Sequence, residues 1–330
     1  MAKEAAWILT YRGVDITSDL DPMTTSVRYT DKLHGEADEI EVEVQDKDGL
    51  WRGPWCPEPG DVMQLWYGWA GTAGTFAGTF EMDEPEARVS RSGDTMSIRG
   101  IAAPITKALR TEKTAGYEDK SVSQIAAEVA GRNGLSITGS FNETTWRRKT
   151  QRRMRDLEFL VALGEDTDHY VSVRGSEVQF YKVDEIDGQA AVETFEVTHP
   201  DLVDWSGRFQ TAETYSKADA RHFHDEEKRL IEGEEPDSRV MTGDVLAIRE
   251  RVENEGQAKL LARGRLHQKN RRRRNGSLTL VGRPDIVAGT VIALGGSFGK
   301  YAGRYTVDAS THTLTRGPYA TDLKIMEARG

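Results

Sequence analysis

A chain of 330 residues with 32 glycines, 10 prolines and only 37% apolar residues is long enough for two or three domains, and its composition suits turn-rich β structure more than a helical bundle. Its formal charge of −10 weighs against a free nucleic-acid binder, whose binding domain is usually basic. No apolar run approaches the roughly 20 residues of a membrane span, the opening "MAKEAAWILTYRG" lacks the apolar centre of a signal peptide, and the single cysteine, Cys56, excludes a disulfide framework and a cysteine-rich metal site. The expectation is a soluble protein made in a cytoplasm, with Cys56 in "GPWCPEPG" an inert thiol.

The first hundred residues read as short strands. "DEIEVEVQD" alternates strictly, with Ile40, Val42 and Val44 on one face and Glu39, Glu41 and Glu43 on the other. "DVMQLWYGWAG", "GTFAGTFEMDEPEARVS" and "DTMSIRGIAA" follow at a spacing of roughly 10 residues, the rhythm of a sandwich or barrel. The pattern changes near Pro104. "DKSVSQIAAEVAGRNGL" places Val122, Ile125, Ala126 and Val129 on one helical face. A second helix fits "MRDLEFLVALGEDTD", with Leu157, Leu160, Val161 and Gly164 on its inner stripe. "HYVSVRGSEVQFYKV" reads as a hairpin turning at Arg174, Gly175 and Ser176.

Strands resume near Glu193. The polar segment "HDEEKRLIEGEEPDSRV" is expected to be a mobile loop, and a helix is expected over "RVENEGQAKLLARGRLHQKN". Strands over "GSLTLVG", "GTVIALG" and "GRYTVDASTHTLTRGPYATDLKIME" follow, the last bent or split at Gly317 and Pro318. The fold class is therefore mainly β with an α/β insert. Residues 1–103 and 191–330 form β units, the second with one long helix, and they flank a two-helix and hairpin unit over 104–190.

Three motifs invite a chemical reading. "LGGSFGKYAG" lacks the first glycine and the hydroxyl residue of a phosphate loop, because Leu294 and Tyr301 stand there, and it reads as a tight turn. His222 and His224 share a strand face and could hold a metal with Asp225 or Glu226, but no third, distant ligand is nominated, so an exposed strand end is preferred. Glu81, Asp83 and Glu84 cluster as a glycosidase pair would, although 54 acidic residues make a solvated rim the plainer account. No Gly-x-Ser-x-Gly elbow or His-Glu-x-x-His helix is present. No catalytic residue, cofactor site or metal site is assigned.

Arg271, Arg272, Arg273 and Arg274 stand in "LHQKNRRRRNGSLTL". A single-strand binder interleaves cations with stacking aromatics, and this run contains none. The arginines follow a helix, where cations suit the negative end of the dipole. Four adjacent guanidinium groups repel one another and are better placed against a partner's carboxylates or phosphates. The reading taken is contact with an acidic surface of a neighbouring subunit or of another protein of the same assembly. A DNA contact in a channel is the second reading and free nucleic-acid binding the third.

The C-terminal third resembles the phage late-control protein D family, the hub of contractile tail baseplates. The residues that carry the resemblance are Gly282, Pro284, Ile286 and Gly289; Tyr301, Gly303, Tyr305 and Val307; and His312, Gly317 and Tyr319. "DKLHGEADEIEVEVQDKDGLW", "EPGDVMQLWYGW", "KSVSQIAAEVAGRNGL" and "RRMRDLEFLVALGEDTDHYVSV" extend it over nearly the whole chain. The resemblance, which also reaches the hub portion of type VI secretion spikes, implies two tail-tube-like β-barrels flanking the insert. It implies a homotrimeric ring, without catalysis, that adapts a sixfold tail tube to a threefold central spike. The implied location is the virion tail baseplate, assembled in the bacterial host cytoplasm. Implied partners are the spike, the tube protein and baseplate wedge proteins, with DNA only in transit and no membrane binding. The chain ends just after the second barrel, so the spike is expected to be a separate protein. Glu39, Glu41 and Glu43 would line the channel and repel phosphate, or form a solvated outer face. A tail-associated cell-wall hydrolase is the alternative function, and the hub of a tail-like bacteriocin or secretion device makes the same demands on shape.

Overall fold

The computed structural model describes residues 3–102, 111–224, 228–241 and 243–329. Strands β1 (Ala5–Tyr11), β2 (Val14–Asp15), β3 (Thr24–Lys32), β4 (Glu39–Gln45), β5 (Val62–Trp69), β6 (Thr75–Arg88) and β7 (Thr95–Ile101), with the short helix α1 (Thr17–Leu20), build the N-terminal third. The alternation in β4 is realised, with Ile40, Val42 and Val44 fully buried and the three glutamates half-buried on the opposite face. β6 runs for 14 residues and serves two neighbours. Its first half pairs with β5 and its second with β7, and register breaks at Leu65/Trp66 and Met82/Glu84 bend it between them. The sheet thus curls around a core that includes Leu9, Val42, Leu65, Tyr67 and Phe80. Leu314 and Tyr319 from the far end of the chain complete that core, and the Ala5 amide donates to the Gly317 carbonyl at 3.2 Å.

The insert consists of β8 (Lys113–Ser121), α2 (Val122–Gly131), β9 (Ser136–Gly139), β10 (Thr145–Met154), α3 (Asp156–Asp166), β11 (His169–Arg174), β12 (Glu177–Lys182) and α4 (Val183–Asp187). Ser121 caps α2 reciprocally with Gln124. The expected hairpin is β11–β12, and Gly175 supplies the positive φ of its turn. The second helix is rotated from its expected stripe. Phe159, Leu160, Leu163 and Gly164 are buried while Leu157 and Val161 are half-buried, because Phe159 stacks on Tyr117 with ring centroids 5.4 Å apart. Pro104, where the sequence pattern changes, and the expected boundary between residues 103 and 104 lie outside the described residues.

The remaining elements are β13 (Thr194–Phe195), β14 (Leu202–Phe209), β15 (Tyr215–His224), β16 (Arg229–Pro236), β17 (Asp244–Ile248), α5 (Glu255–Asn270), β18 (Arg274–Val281), β19 (Val291–Leu294), β20 (Gly303–Leu314) and β21 (Tyr319–Glu327). Two cores form here. One lies among β14, β18, β19, β20 and β21 and includes Phe195, Leu278, Ile292, Tyr305 and Ile325. The other lies where α5 covers β15, β16 and β17. The expected acidic loop is corrected. Residues 229–236 form β16, antiparallel to β15, because Ile231 and Gly233 alternate onto the face that receives α5. A Cβ at Gly233 would stand 2.2 Å from the Lys259 amide, so the glycine permits that close approach.

Ladders between β20 and β3, from Ala309 opposite Lys32 to Leu314 opposite Val27, fuse the two halves. One sheet therefore runs in the order β14-β18-β21-β20-β3-β4-β7-β6-β5-β1-β2.

Candidate interaction faces

The sheet from β14 to β6 crosses eight strands, four from each half of the chain. One face of it is packed on the two cores and the other is polar. A single row of cross-strand neighbours on the polar face reads Asp204, Thr279, Asp322, Thr311, Thr30, Glu39, Ile101 and Glu81. Side chains on this face bond across the strands rather than along them. Ser206 and Ser277 hydroxyls lie 2.8 Å apart, Thr279 donates to Asp322 at 2.6 Å, and Thr30 and Thr311 hydroxyls lie 3.3 Å apart. Arg28 donates to Glu41 at 3.0 Å, Ser97 to Glu41 at 2.9 Å and Arg99 to Glu39 at 2.6 Å. Glu43 accepts from Thr25 at 3.1 Å. The three glutamates singled out by alternation thus share their face with Arg28, Arg99 and Lys32. It is a mixed face, not the negative strip expected from β4 alone.

The four arginines do not act together. Arg271 and Arg273 are 8% and 9% exposed, which corrects the expectation that the whole run meets a partner. Arg271 is the C-cap of α5, lies over the Tyr170 ring at 5.0 Å and donates to Asp308 at 2.5 Å. Arg273 forms a two-pronged pair with Glu327 at 2.5 and 3.0 Å. Arg274 lies over Phe209 with its Nε 3.7 Å from Glu327. Only Arg272 is exposed. The run leaves a helix and enters a strand, so alternate members turn inward onto carboxylates that lie far away in sequence.

Further buried ion pairs occupy the joints between cores. Arg174, at the end of β11, reaches Asp31 at 2.5 Å and Asp38 at 3.4 Å on the first core, while Asp31 also accepts from the Ala288 amide at 2.9 Å. Burial, and next the neighbouring Asp31, push the Asp38 carboxyl up to about 7. On the other side Arg263 and Arg329 converge on Asp168 at 2.6 and 2.9 Å. Asp187 receives the Thr306 hydroxyl at 2.7 Å and the Arg329 amide at 2.8 Å.

The residues behind the family resemblance are structural. His312 is fully buried, pairs its Nε2 with Ser310 at 2.7 Å and its Nδ1 with the Tyr319 hydroxyl at 2.8 Å, and is held down to about 3 by burial. Tyr319 covers Gly282 so closely that a Cβ there would stand 2.1 Å from the ring.

The other sequence candidates are scattered. His222 and His224 are half-buried on β15, Asp225 and Glu226 lie outside the described residues, and no group of three metal-ligating side chains occurs among the described residues. Glu81, Asp83 and Glu84 lie along β6. "GSFGKY" is a tight 3-10 turn between β19 and β20. A cavity of 690 Å³ is lined by Trp51, Trp55 and Met63, and there Tyr11 and Arg12 both engage Asp61.

This is the fold of phage tail proteins. The structure superposes on the 43 kDa tail protein of prophage MuSo2 from Shewanella oneidensis with a TM-score of 0.74, covering 98% of each chain at 13% identity. It also matches an E. coli protein described as a component of the type VI secretion system, with a TM-score of 0.61 over 97% of this chain and 77% of that one, at 10% identity. No family model matches the chain. In sequence it is related to the probable baseplate hub proteins of Escherichia phages 186 and P2. The identities are 30% over 179 residues and 29% over 170 residues, or 54% and 51% of this chain. The matched regions span 45% and 43% of those relatives' lengths, somewhat under half of each. The resemblance read from the sequence is borne out on both counts.

Proposed function

We propose that the chain is the baseplate hub subunit of a contractile phage tail or tail-like particle, a structural part and not an enzyme. In this reading three copies close into a ring between a sixfold tail tube and a threefold central spike, with wedge proteins outside. The observation that carries the reading is the polar face spanning eight strands of both halves. A conduit wall has to be continuous, hydrophilic and self-bonded, and this face is all three. Each half contributes four strands, so a threefold ring repeats a four-strand unit six times, which is the adaptation a sixfold tube on a threefold spike requires. Both charge signs occur on the face, so a polyanion in transit would be neither gripped nor strongly repelled. The division into units 1–103, 104–190 and 191–330 belongs to the same proposal. So do the position in the tail baseplate and assembly in the host cytoplasm. The related hub proteins and the shared tail-protein fold support it.

The test is the native mass of the purified chain, alone and co-expressed with a spike protein from the same genome. A threefold mass in either sample is the expected result. A strict monomer in both, with no spike bound, overturns the ring.

A further inference from the structure

The polar face ends in two strand edges. At one end β14 pairs with β18 and with no other strand. At the other, the second half of β6 pairs with β7, and from Glu84 onward its far side meets no strand among the described residues. The side chains that these edges present on the polar face are Asp204, Ser206 and Arg208 on β14, and Glu84, Glu86 and Arg88 on β6. All six are exposed. Their placement follows from register: the first three stand opposite Thr279, Ser277 and Asn275, and the second three opposite Arg99, Ser97 and Thr95.

Charges and proline commonly guard free strand edges against unwanted pairing, and Pro85 sits within the β6 edge. Guarding alone does not dictate an order of charges. Here β14 reads acid, neutral, base from Asp204 to Arg208, and β6 reads acid, acid, base from Glu84 to Arg88. Laid antiparallel with Ser206 across from Glu86, Asp204 meets Arg88 and Arg208 meets Glu84. Laid parallel, like charges meet at both ends. Chain direction makes the same choice. Every ladder from β14 to β6 is antiparallel and the strands number eight. Copies related by a rotation axis therefore bring β14 of one beside β6 of the next in opposite directions.

We propose that β14 docks against the second half of β6 in a second copy of this chain, antiparallel, with Asp204 opposite Arg88, Ser206 opposite Glu86 and Arg208 opposite Glu84. The inference rests on the ring reading above. Pro85 offers no backbone donor, so the side-chain pairs carry the seam more than a full backbone ladder does. The same feature keeps unassembled copies from zipping in arbitrary register.

The test uses the full chain in a Cys56→Ser background with Ser206→Cys and Glu86→Cys. Directly opposed strand residues lie within disulfide reach, so mild oxidation is expected to give a covalent species of three chain masses in a denaturing gel. Ser206→Cys with Thr95→Cys, which does not oppose it, is expected to give none. Independently, Arg208→Glu and Glu84→Arg are each expected to weaken association in sedimentation by about tenfold, and the two together to restore it. A native trimer that neither cross-links nor responds to the reversals overturns the seam and leaves the ring standing. A Cys56→Ser chain that stays monomeric at every concentration reached, and with spike present, overturns the ring and the seam with it.

Discussion

Replacing Arg174 with methionine removes the one cation that Asp31 and Asp38 share while keeping most of the aliphatic stem. The two carboxylates are 1% and 2% exposed. Their other partners are the Ala288 amide on Asp31, and the Lys32 amide at 3.0 Å and the Tyr29 hydroxyl at 3.2 Å on Asp38. Breaking a buried pair costs about 3–5 kcal/mol. The Arg174 side chain is 37% exposed, so solvent screening places the loss near the lower end, about 3 kcal/mol, at a pH of about 8. The pH dependence has a definite sign. Burial and Asp31 raise the Asp38 carboxyl to about 7 from an ordinary 3.8, so the native state binds its proton before the unfolded chain does. Its contribution is full below the unfolded value and is lost as pH rises through about 7. Acidification to about pH 5 therefore neutralises one carboxylate and shrinks the Arg174→Met penalty to about 1 kcal/mol. Urea unfolding followed by tryptophan fluorescence at both pH values measures this, with Arg174→Met/Asp38→Asn expected to recover most of the loss at the higher pH. An equal loss at both pH values, or one below about 1 kcal/mol at pH 8, would refute the account of two buried carboxylates sharing one guanidinium.

The arginine run separates into members by the same assay. Arg271→Gln is expected to cost about 3 kcal/mol because it strands Asp308 and uncovers Tyr170, whereas Arg272→Gln is expected to change stability by less than about 0.5 kcal/mol; similar values for the two would sink the inward-outward assignment. Gly264→Ala should gain about 1 kcal/mol from helix propensity, but its Cβ would stand 2.2 Å from the Glu165 carbonyl oxygen. A net loss of about 2 kcal/mol is expected, and a raised melting temperature by calorimetry would contradict it. Burial holds His312 down to about 3 and His169 down to about 4. The unfolded chain therefore takes up these protons first, and stability falls as pH drops below about 6.5, opposite in sign to Asp38. His312→Gln is expected to flatten the fall in urea midpoint between about pH 6.5 and pH 4.5, and an unchanged slope would count against it.

Where one physical constraint acted alone, the sequence was readable. β4 faces a core on one side only, so burial enforced a period of two that "EIEVEVQ" displays. Helix α5 begins at an Asn254 cap whose side chain accepts from Gln257, close to where its pattern begins. β16 was hidden because its inward positions are one isoleucine and one glycine, and a glycine needed for close approach looks like a glycine needed for a turn. The inward turn of Arg271 and Arg273 was hidden because their carboxylates lie 37 and 54 residues away. The polar face was hidden for another reason. Thr311, Asp322, Thr30 and Glu39 each look like ordinary solvated strand residues, and only the strand order places them in one row. The ordered motifs of the C-terminal third were legible because they record contacts, such as Tyr319 over Gly282, that the fold cannot form otherwise.

The distribution of buried charge suits what the proposed ring would demand. Within each core the contacts are mainly apolar and tolerate small rotations. Between cores, beside the β20–β3 ladder and a small apolar cluster of Leu33, Tyr170, Val183, Ile186 and Ala288, the contacts are directional and polar: the ion pair of Arg174 with Asp31 joins the insert to the first half, and the Ala288 amide donating to Asp31 joins the second half to the first. Arg263 and Arg329 on Asp168 tie α5 and the C-terminal end to the insert. Such pairs add little net stability over a well-packed apolar substitute, but they fail when partners are misaligned, so they fix the angle at which units meet. In the proposed ring each copy carries both edges of the seam, β14 in one half and β6 in the other. An error in the angle between the halves would displace Arg208 from Glu84 in every copy at once. Directional bonds at the joints, with adaptable packing inside the cores, are an arrangement that would let one chain present two complementary edges at the separation the proposed closure requires.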